Sequence, residues 1–342
     1  MPRLQPTHEP ELTGPVDLCD ANGRLNRDAV GWSRQPLHTC ELTGHEPRKK
    51  RWNYWAVHDD RVFFSATIAD VDHYVLAFVY LLEFDTHRFV ERTAILPPGA
   101  LDLPPTVRES VVFDQGERRV ALLDTPRGTR IQVDWPDFGE VDLHADLLAE
   151  QRRGHETLNV VIPWSRDRFQ FTSKQNTLPV HGNIHLGKEK FRLERSSSWG
   201  VLDFGRGVWK YSTAWNWGAL STPLPDGRAL GLNLGAKWTD GTGMTENGIC
   251  LDGVLSKIGE EIPFVYDERD FMKPWRIGSR SKRVHLRFVP FYERVAKAKT
   301  GVLMSEVHQM FGRYSGTVVP DTGETIEITD VFGWIEEHEA RW

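Results

Sequence analysis

Between Ser196 and Lys237 the chain carries four of its 13 tryptophans, Trp199, Trp209, Trp215 and Trp217, with the acid Asp203 and the guanidinium Arg206 between them. An acid held among indole rings can keep its proton and deliver it, and ring faces stabilise positive charge that develops on a substrate. Asp203 is therefore the first candidate for a general acid. Burial would raise its pKa and a neighbouring Arg206 would lower it. An Asp203–Arg206 bridge would instead be structural, part of a tryptophan-rich barrel core. Glu246 and Asp252 supply further carboxyls around the loop that follows. Asn216, Asn233 and Asn247 could orient a polar head, although Asn and Asp are also ordinary turn residues. The catalytic candidates are thus Asp203, Glu246 and Asp252. The ligand-binding candidates are Trp199, Arg206, Trp209, Trp215, Asn216, Trp217, Asn233, Asn247 and His308.

Other chemistries fit the same residue types. Stacked tryptophans and a carboxylate pair serve glycoside hydrolysis, and Asp203, Asp240, Glu246 and Asp252 could supply the pair. A non-catalytic carrier would use the tryptophans alone and needs no unpaired buried acid, which is what separates it from an enzyme. His181 and His185 share one strand face, but no third ligand stands nearby, so no metal is expected. Cys19 and Cys40 with His38 and His45 match no zinc spacing. The chain has no G-x-G-x-x-G, no G-x-x-x-x-G-K-[ST] and no G-x-S-x-G, so nucleotide binding and serine-hydrolase chemistry lack support and no cofactor is expected.

Composition narrows the partners. Lys and Arg number 42 against 48 Asp and Glu, a formal net charge of −6, which argues against a counterion-releasing contact with nucleic acid. Three cysteines without a C-x-x-C point to a reducing, cytoplasmic setting. No run of about 18 apolar residues could span a bilayer as a helix. The opening M-P-R-L-Q-P-T-H lacks the apolar core of a signal peptide.

The elements that must position these residues read as strands. Glycines at 200, 205, 207 and 218 and large aromatics disfavour a helix over 196–237. From Trp52 onward, runs such as R-V-F-F-S-A-T-I-A-D and H-Y-V-L-A-F-V-Y-L-L-E-F alternate with short polar turns, the rhythm of an antiparallel barrel or sandwich. Helical periodicity is confined to Leu143–Arg153 and Tyr292–Lys299. Residues 1–44, rich in Pro and Gly, read as an extended surface arm. The basic run R-K-K-R at 48–51 reads as a solvated turn before the first strand, the alternative being contact with an anionic ligand or membrane surface. The glycine-rich W-T-D-G-T-G-M-T-E-N after Lys237 is the expected junction between a larger barrel over 45–240 and a smaller one over 241–342.

The set W-N-Y-W, S-S-W-G-V-L-D-F-G-R-G-V-W-K-Y with W-N-W, then G-L-N-L-G, T-E-N, L-D-G and H-Q-M-F-G-R-Y-S-G resembles a bacterial family defined only as a domain of unknown function, over nearly the whole chain. The W-G…W-N-W…D-G stretch is similar, more distantly, to the carotenoid hydratase and tocopherol cyclase proteins. That resemblance implies two lipocalin-like, calycin-type antiparallel β-barrels in tandem, with a cavity for a small, largely apolar molecule and neither metal nor redox cofactor. The chain departs from those proteins in length, in R-K-K-R and in D-F-G-R-G, so the substrate class does not carry over. The expectation is an all-β protein that binds a small hydrophobic or amphipathic molecule, with cofactor-free hydration, cyclisation or isomerisation as its chemistry. The alternatives are a carbohydrate-active enzyme and a lipocalin-like carrier. A homodimer through an exposed edge strand is compatible with the sequence, which locates no such edge.

Overall fold

A computed structural model describes residues 7–300 and 303–342. Two curled antiparallel sheets hold nearly all of its strands, one closing almost into a barrel and the other forming a half-barrel, and Val16–Asp17 pairs in parallel with His38–Thr39 apart from them. In the first, hydrogen-bonded neighbours run Phe89–Leu96, Val75–Glu83, Val62–Asp70, Lys49–His58, Trp199–Val208, Phe169–Leu186, Leu143–Glu150, Gly128–Trp135, Arg118–Thr125 and Val111–Gln115, with three short strands pairing off this path. In the second they run Val254–Lys257, Gly248–Leu251, Ala229–Ala236, Ser212–Pro223, Ile326–Arg341, Leu303–Val318, Val284–Thr300, Trp275–Gly278 and Phe264–Val265.

The chain passes from the first sheet to the second at residues 209–211, immediately after Trp199–Val208. The glycine-rich loop after Lys237, expected as the junction, instead joins two adjoining strands of the second sheet. Both segments expected as helices are strands. In Leu143–Glu150 the residues Leu143, Ala145, Leu147 and Ala149 are buried in turn, a period of two that helix-favouring residue types conceal. Tyr292–Lys299 lies within Val284–Thr300.

Each sheet has its own interior core. Trp55, Phe64, Leu122, Ile131, Phe171 and Phe204 fill the first; Leu220, Leu232, Trp275, Phe288, Tyr314 and Ile335 fill the second. A third cluster joins the outer faces, with Tyr54, Phe63, Tyr80 and Val201 of the first sheet against Trp217, Phe311, Phe332 and Trp334 of the second. This explains why every residue of Val62–Asp70 is buried, since a strand covered on both faces needs no polar alternation. Each fully buried aromatic there contributes roughly 2–3 kcal/mol of transfer free energy.

The segment 7–44 is more than a surface arm. Leu18, Leu25, Ala29 and Cys40 enter the first core, Trp32–Ser33 pairs with Leu158–Pro163, and Glu9 forms an ion pair with buried Lys257 of the second sheet. The basic run is not a solvated turn either. Lys49 to Arg51 open the strand Lys49–His58, and Lys50 is buried, donating to the Val71 carbonyl at 2.9 Å, with its pKa pulled down by burial to about 8.

Candidate functional site

The strand Phe169–Leu186 alternates Phe169 and Phe171, which enter the first core, with Gln170, Thr172 and Lys174, which face the second sheet. Asp203 is the cross-strand partner of Lys174 on Trp199–Val208. The Lys174 ammonium lies 2.7 Å from Asp203 Oδ2 and 3.2 Å from Glu246 Oε2, and 4.5 Å over the Trp217 ring. One buried cation thus ties both sheets together. Glu246 reaches it by folding over Gly235, where a Cβ would overlap its carboxyl. Trp238 Nε1 donates to Glu246 Oε1 at 2.6 Å. Trp217 Nε1 donates to Asn233 Oδ1 at 2.8 Å, and Asn233 donates in turn to the Glu246 carbonyl at 2.6 Å. The glycines of G-L-N-L-G therefore serve close approach: the leucines fill the second core while Gly231, Asn233 and Gly235 lie beneath the first sheet.

A third carboxyl, Glu336, completes the group. It accepts from Gln309 Nε2 at 3.1 Å and stands 3.5 Å from Trp215 Nε1. Gln309 is held by Tyr80, which donates to its Oε1 at 2.7 Å, and by the Tyr54 hydroxyl. Burial pushes Glu336 up to about 7; the Asp203 charge adds to this, while Arg294 and Lys174 oppose it. Burial also raises Glu246, against the pull of Lys174. Burial alone would lower Lys174, but Asp203 and Glu246 together hold its pKa above the usual lysine value. Asp203 and Glu246 thus share one ammonium while Glu336 has none in contact, an imbalance that favours a bound proton on Glu336. Arg294, whose charge also reaches Glu336, forms its ion pair with Glu91.

Indole rings wall the group. Buried Trp209 donates to Gln170 Oε1 at 2.6 Å and has the rings of Trp52, Trp164, Trp215, Trp238 and Trp342 within 5.0–5.8 Å. Trp52, Trp164, Trp215 and Trp342 are half-buried and form the rim, and Asp203 keeps 14% of its side chain accessible. A void of about 10 Å³ lies between Lys174, Asn176, Asn233 and Cys250, polar enough and about large enough for one water.

The remaining candidates fall elsewhere. Arg206 does not pair with Asp203, because three residues along a strand put them on opposite faces. Its guanidinium is fully buried on the first barrel's side, donating to Trp52 O, Gly205 O, Pro104 O and Asn53 Oδ1, and burial lowers it to about 9. Asn216 and His308 face the other side of the second sheet. There Asn216 joins Glu337, Lys237 and Tyr266, and His308 sits between Glu293 at 2.6 Å and Glu306 at 2.9 Å. Asn247 pins the loop, accepting from Gly235 N and donating to Glu260 O. Trp199 and Asp252 line a separate cavity. Asp240 is exposed in the turn after Lys237. The structure therefore brings together Asp203, Glu246, Trp209, Trp215, Trp217 and Asn233, and adds Lys174, Glu336 and Trp238. The polar stripe Gln170, Thr172, Lys174 beside alternating phenylalanines was the available signal for Lys174; the adjacent acids of I-E-E-H gave none that separates Glu336 from Glu337.

Among solved structures, the chain is similar to an AttH protein from Nitrosomonas europaea, at 11% identity and TM-score 0.44, covering 86% of this chain and 93% of that one. It is also similar to kievitone hydratase from Nectria haematococca, at 9% identity and TM-score 0.44, covering 86% and 88%. No curated protein matches its sequence. The family model described as a domain of unknown function, DUF2804, matches residues 9–342, and the chain belongs to that family.

Proposed function

We propose that the tryptophan-walled seam between the two sheets, around Lys174 and Glu336, opens to bind a small hydrophobic or amphipathic molecule and performs cofactor-free acid–base chemistry on it, of the hydration, cyclisation or isomerisation type. The observation that carries this reading is the excess of carboxyls over cations in a tryptophan-walled interior. A carrier has no use for Glu336, a buried acid with no ion-pair partner within 4 Å among the described residues. Such an acid, near neutrality in pKa, is suited to protonate a substrate, and Trp215 and Trp217 would stabilise the cationic charge that follows. Asp203, held by Lys174, would take the proton back or orient a water. The glycosidase alternative fits less well. Asp203 and Glu246 close on the same ammonium, which leaves no room between them for a sugar ring.

The test is native mass spectrometry of the purified protein with extraction of what it carries, followed by incubation of the extract in heavy-oxygen water with wild type and Glu336→Gln. An apolar ligand absent from Trp217→Ala, and converted by wild type but not by Glu336→Gln, supports the reading. Tryptophan quenching by oligosaccharides and not by lipids would overturn it.

A further inference from the structure

A cavity of about 200 Å³ opens where the two sheets meet, away from the cluster around Lys174. Its walls come from both sheets: the loop 151–157 and Trp199 from the first, the turns at Gly227 and Asp252-Gly253 from the second. Five of its twelve lining residues have left-handed backbones: Gly154, Thr177, Gly227, Asp252 and Gly253. Thr177 is the telling one. A β-branched residue at φ 57° is a rare conformation that persists only where its surroundings enforce it. Here the enforcement is visible: Thr177 N–H donates to Ser221 Oγ of the other sheet at 3.0 Å, and the strand Phe169–Leu186 breaks register between Gln175 and Leu178.

Among the described residues, three side-chain donors around this cavity lack acceptors. Trp199 is 7% exposed, and its indole N–H is buried with no hydrogen-bond partner among the described residues. A buried N–H is normally paired, so an unpaired one lining a cavity marks a place for an acceptor. Arg152 and Arg153 stand exposed at the mouth, and among the described residues neither guanidinium makes an ion pair. Asp252 is the one acid on the lining, leaving the cavity a net positive charge. His155 adds none, since burial lowers its pKa and its Nε2 is spent on the Asn176 carbonyl at 3.0 Å. Pro179, Ala229, Val254 and the Trp199 ring supply an apolar side.

We propose that this seam cavity is a binding site for a small organic acid. Its carboxylate takes the Trp199 indole N–H and the Arg152 and Arg153 guanidiniums, and its carbon skeleton lies against Pro179, Ala229 and Val254. Planar guanidiniums suit a carboxylate, and the apolar side favours an organic acid over inorganic phosphate. The proposal does not depend on chemistry at Lys174 and Glu336.

The experiment follows the indole N–H resonances of the full chain, labelled with nitrogen-15 at tryptophan, as sodium benzoate is added. Trp199→Phe, which keeps an aromatic ring and removes the donor, identifies the Trp199 signal. That signal is expected to move with benzoate and stay still with benzyl alcohol. Arg152→Gln with Arg153→Gln should weaken benzoate several-fold, as removing two exposed charge partners does. The double variant alters only exposed side chains, so it carries the test even if Trp199→Phe fails to fold. Three results would each overturn the proposal: no indole signal moving up to the solubility limit of benzoate, unchanged affinity in the double variant, or inorganic phosphate binding as well as benzoate.

Discussion

At the scale of single residues, Glu336 is the group whose protonation should be visible in solution. Its pKa is raised from 4.5 to about 7 because burial penalises the carboxylate. Between those values the folded state holds a proton that the unfolded chain has released, so stability falls as pH rises through that window. The effect amounts to about 3 kcal/mol at most. Glu336→Gln keeps the shape and removes the titration. Urea unfolding at pH 5 and pH 8 should show wild type losing stability relative to the variant on going to the higher pH; equal losses would remove Glu336 from the account. The sequence marked Asp203 and Glu246 as acids but not the ammonium they share. A lysine in a strand normally reads as a solvent-facing residue. Only the covering of the Lys174 face by a second sheet makes it the centre of the group. The Asp203–Arg206 bridge was suggested by closeness in sequence, and strand alternation separates the two.

At the scale of elements, the strand Trp199–Val208 owes its position to glycine. A Cβ on Gly205 would overlap the Trp52 ring and the Gln170 amide, and one on Gly207 would overlap Gln170 and the Phe169 carbonyl. Gly205→Ala should therefore cost about 1–3 kcal/mol, the usual penalty for overpacking, and lower the urea midpoint without changing the slope. A neutral result would mean that Trp52 turns aside freely. Most strands were legible from apolar alternation and turn residues, because each barrel interior imposes a period of two. Leu143–Glu150 misled because Leu, Ala and Glu are good helix formers whose preference tertiary pairing overrides. The sheet boundary at 209–211 was hidden because Trp209 to Trp217 reads as one aromatic stretch, although the chain changes sheets within it.

At the scale of the whole molecule, the two sheets pack on each other through their outer faces. The amino-terminal segment reinforces that union: Glu9 meets Lys257, His8 N–H donates to the Gly243 carbonyl, and Trp32 N–H donates to Pro10. Lys257 is almost wholly buried, with its pKa lowered by burial despite the Glu9 charge. Glu9→Gln leaves that ammonium without its anion, a change that costs about 3–5 kcal/mol in buried pairs. The expected outcome is one cooperative unfolding transition at lower urea. Two separate transitions, with only one displaced, would show that the segment stabilises the second sheet alone. The membrane question has a narrow answer, since among the described residues no helix is long and apolar enough to cross a bilayer.

The tryptophan wall has an optical consequence. Trp209 and Trp238 stack with centroids 5.6 Å apart and planes 13° from parallel, and the neighbouring indoles continue the contact at similar spacing. At such distances electronic transitions couple and excitation migrates among the rings before emission. The near-ultraviolet ellipticity of this protein is therefore a property of the assembled group rather than of separate residues. A quencher that reaches any rim indole darkens the others of the group with it, so the light these six rings emit reports on the seam between the two sheets.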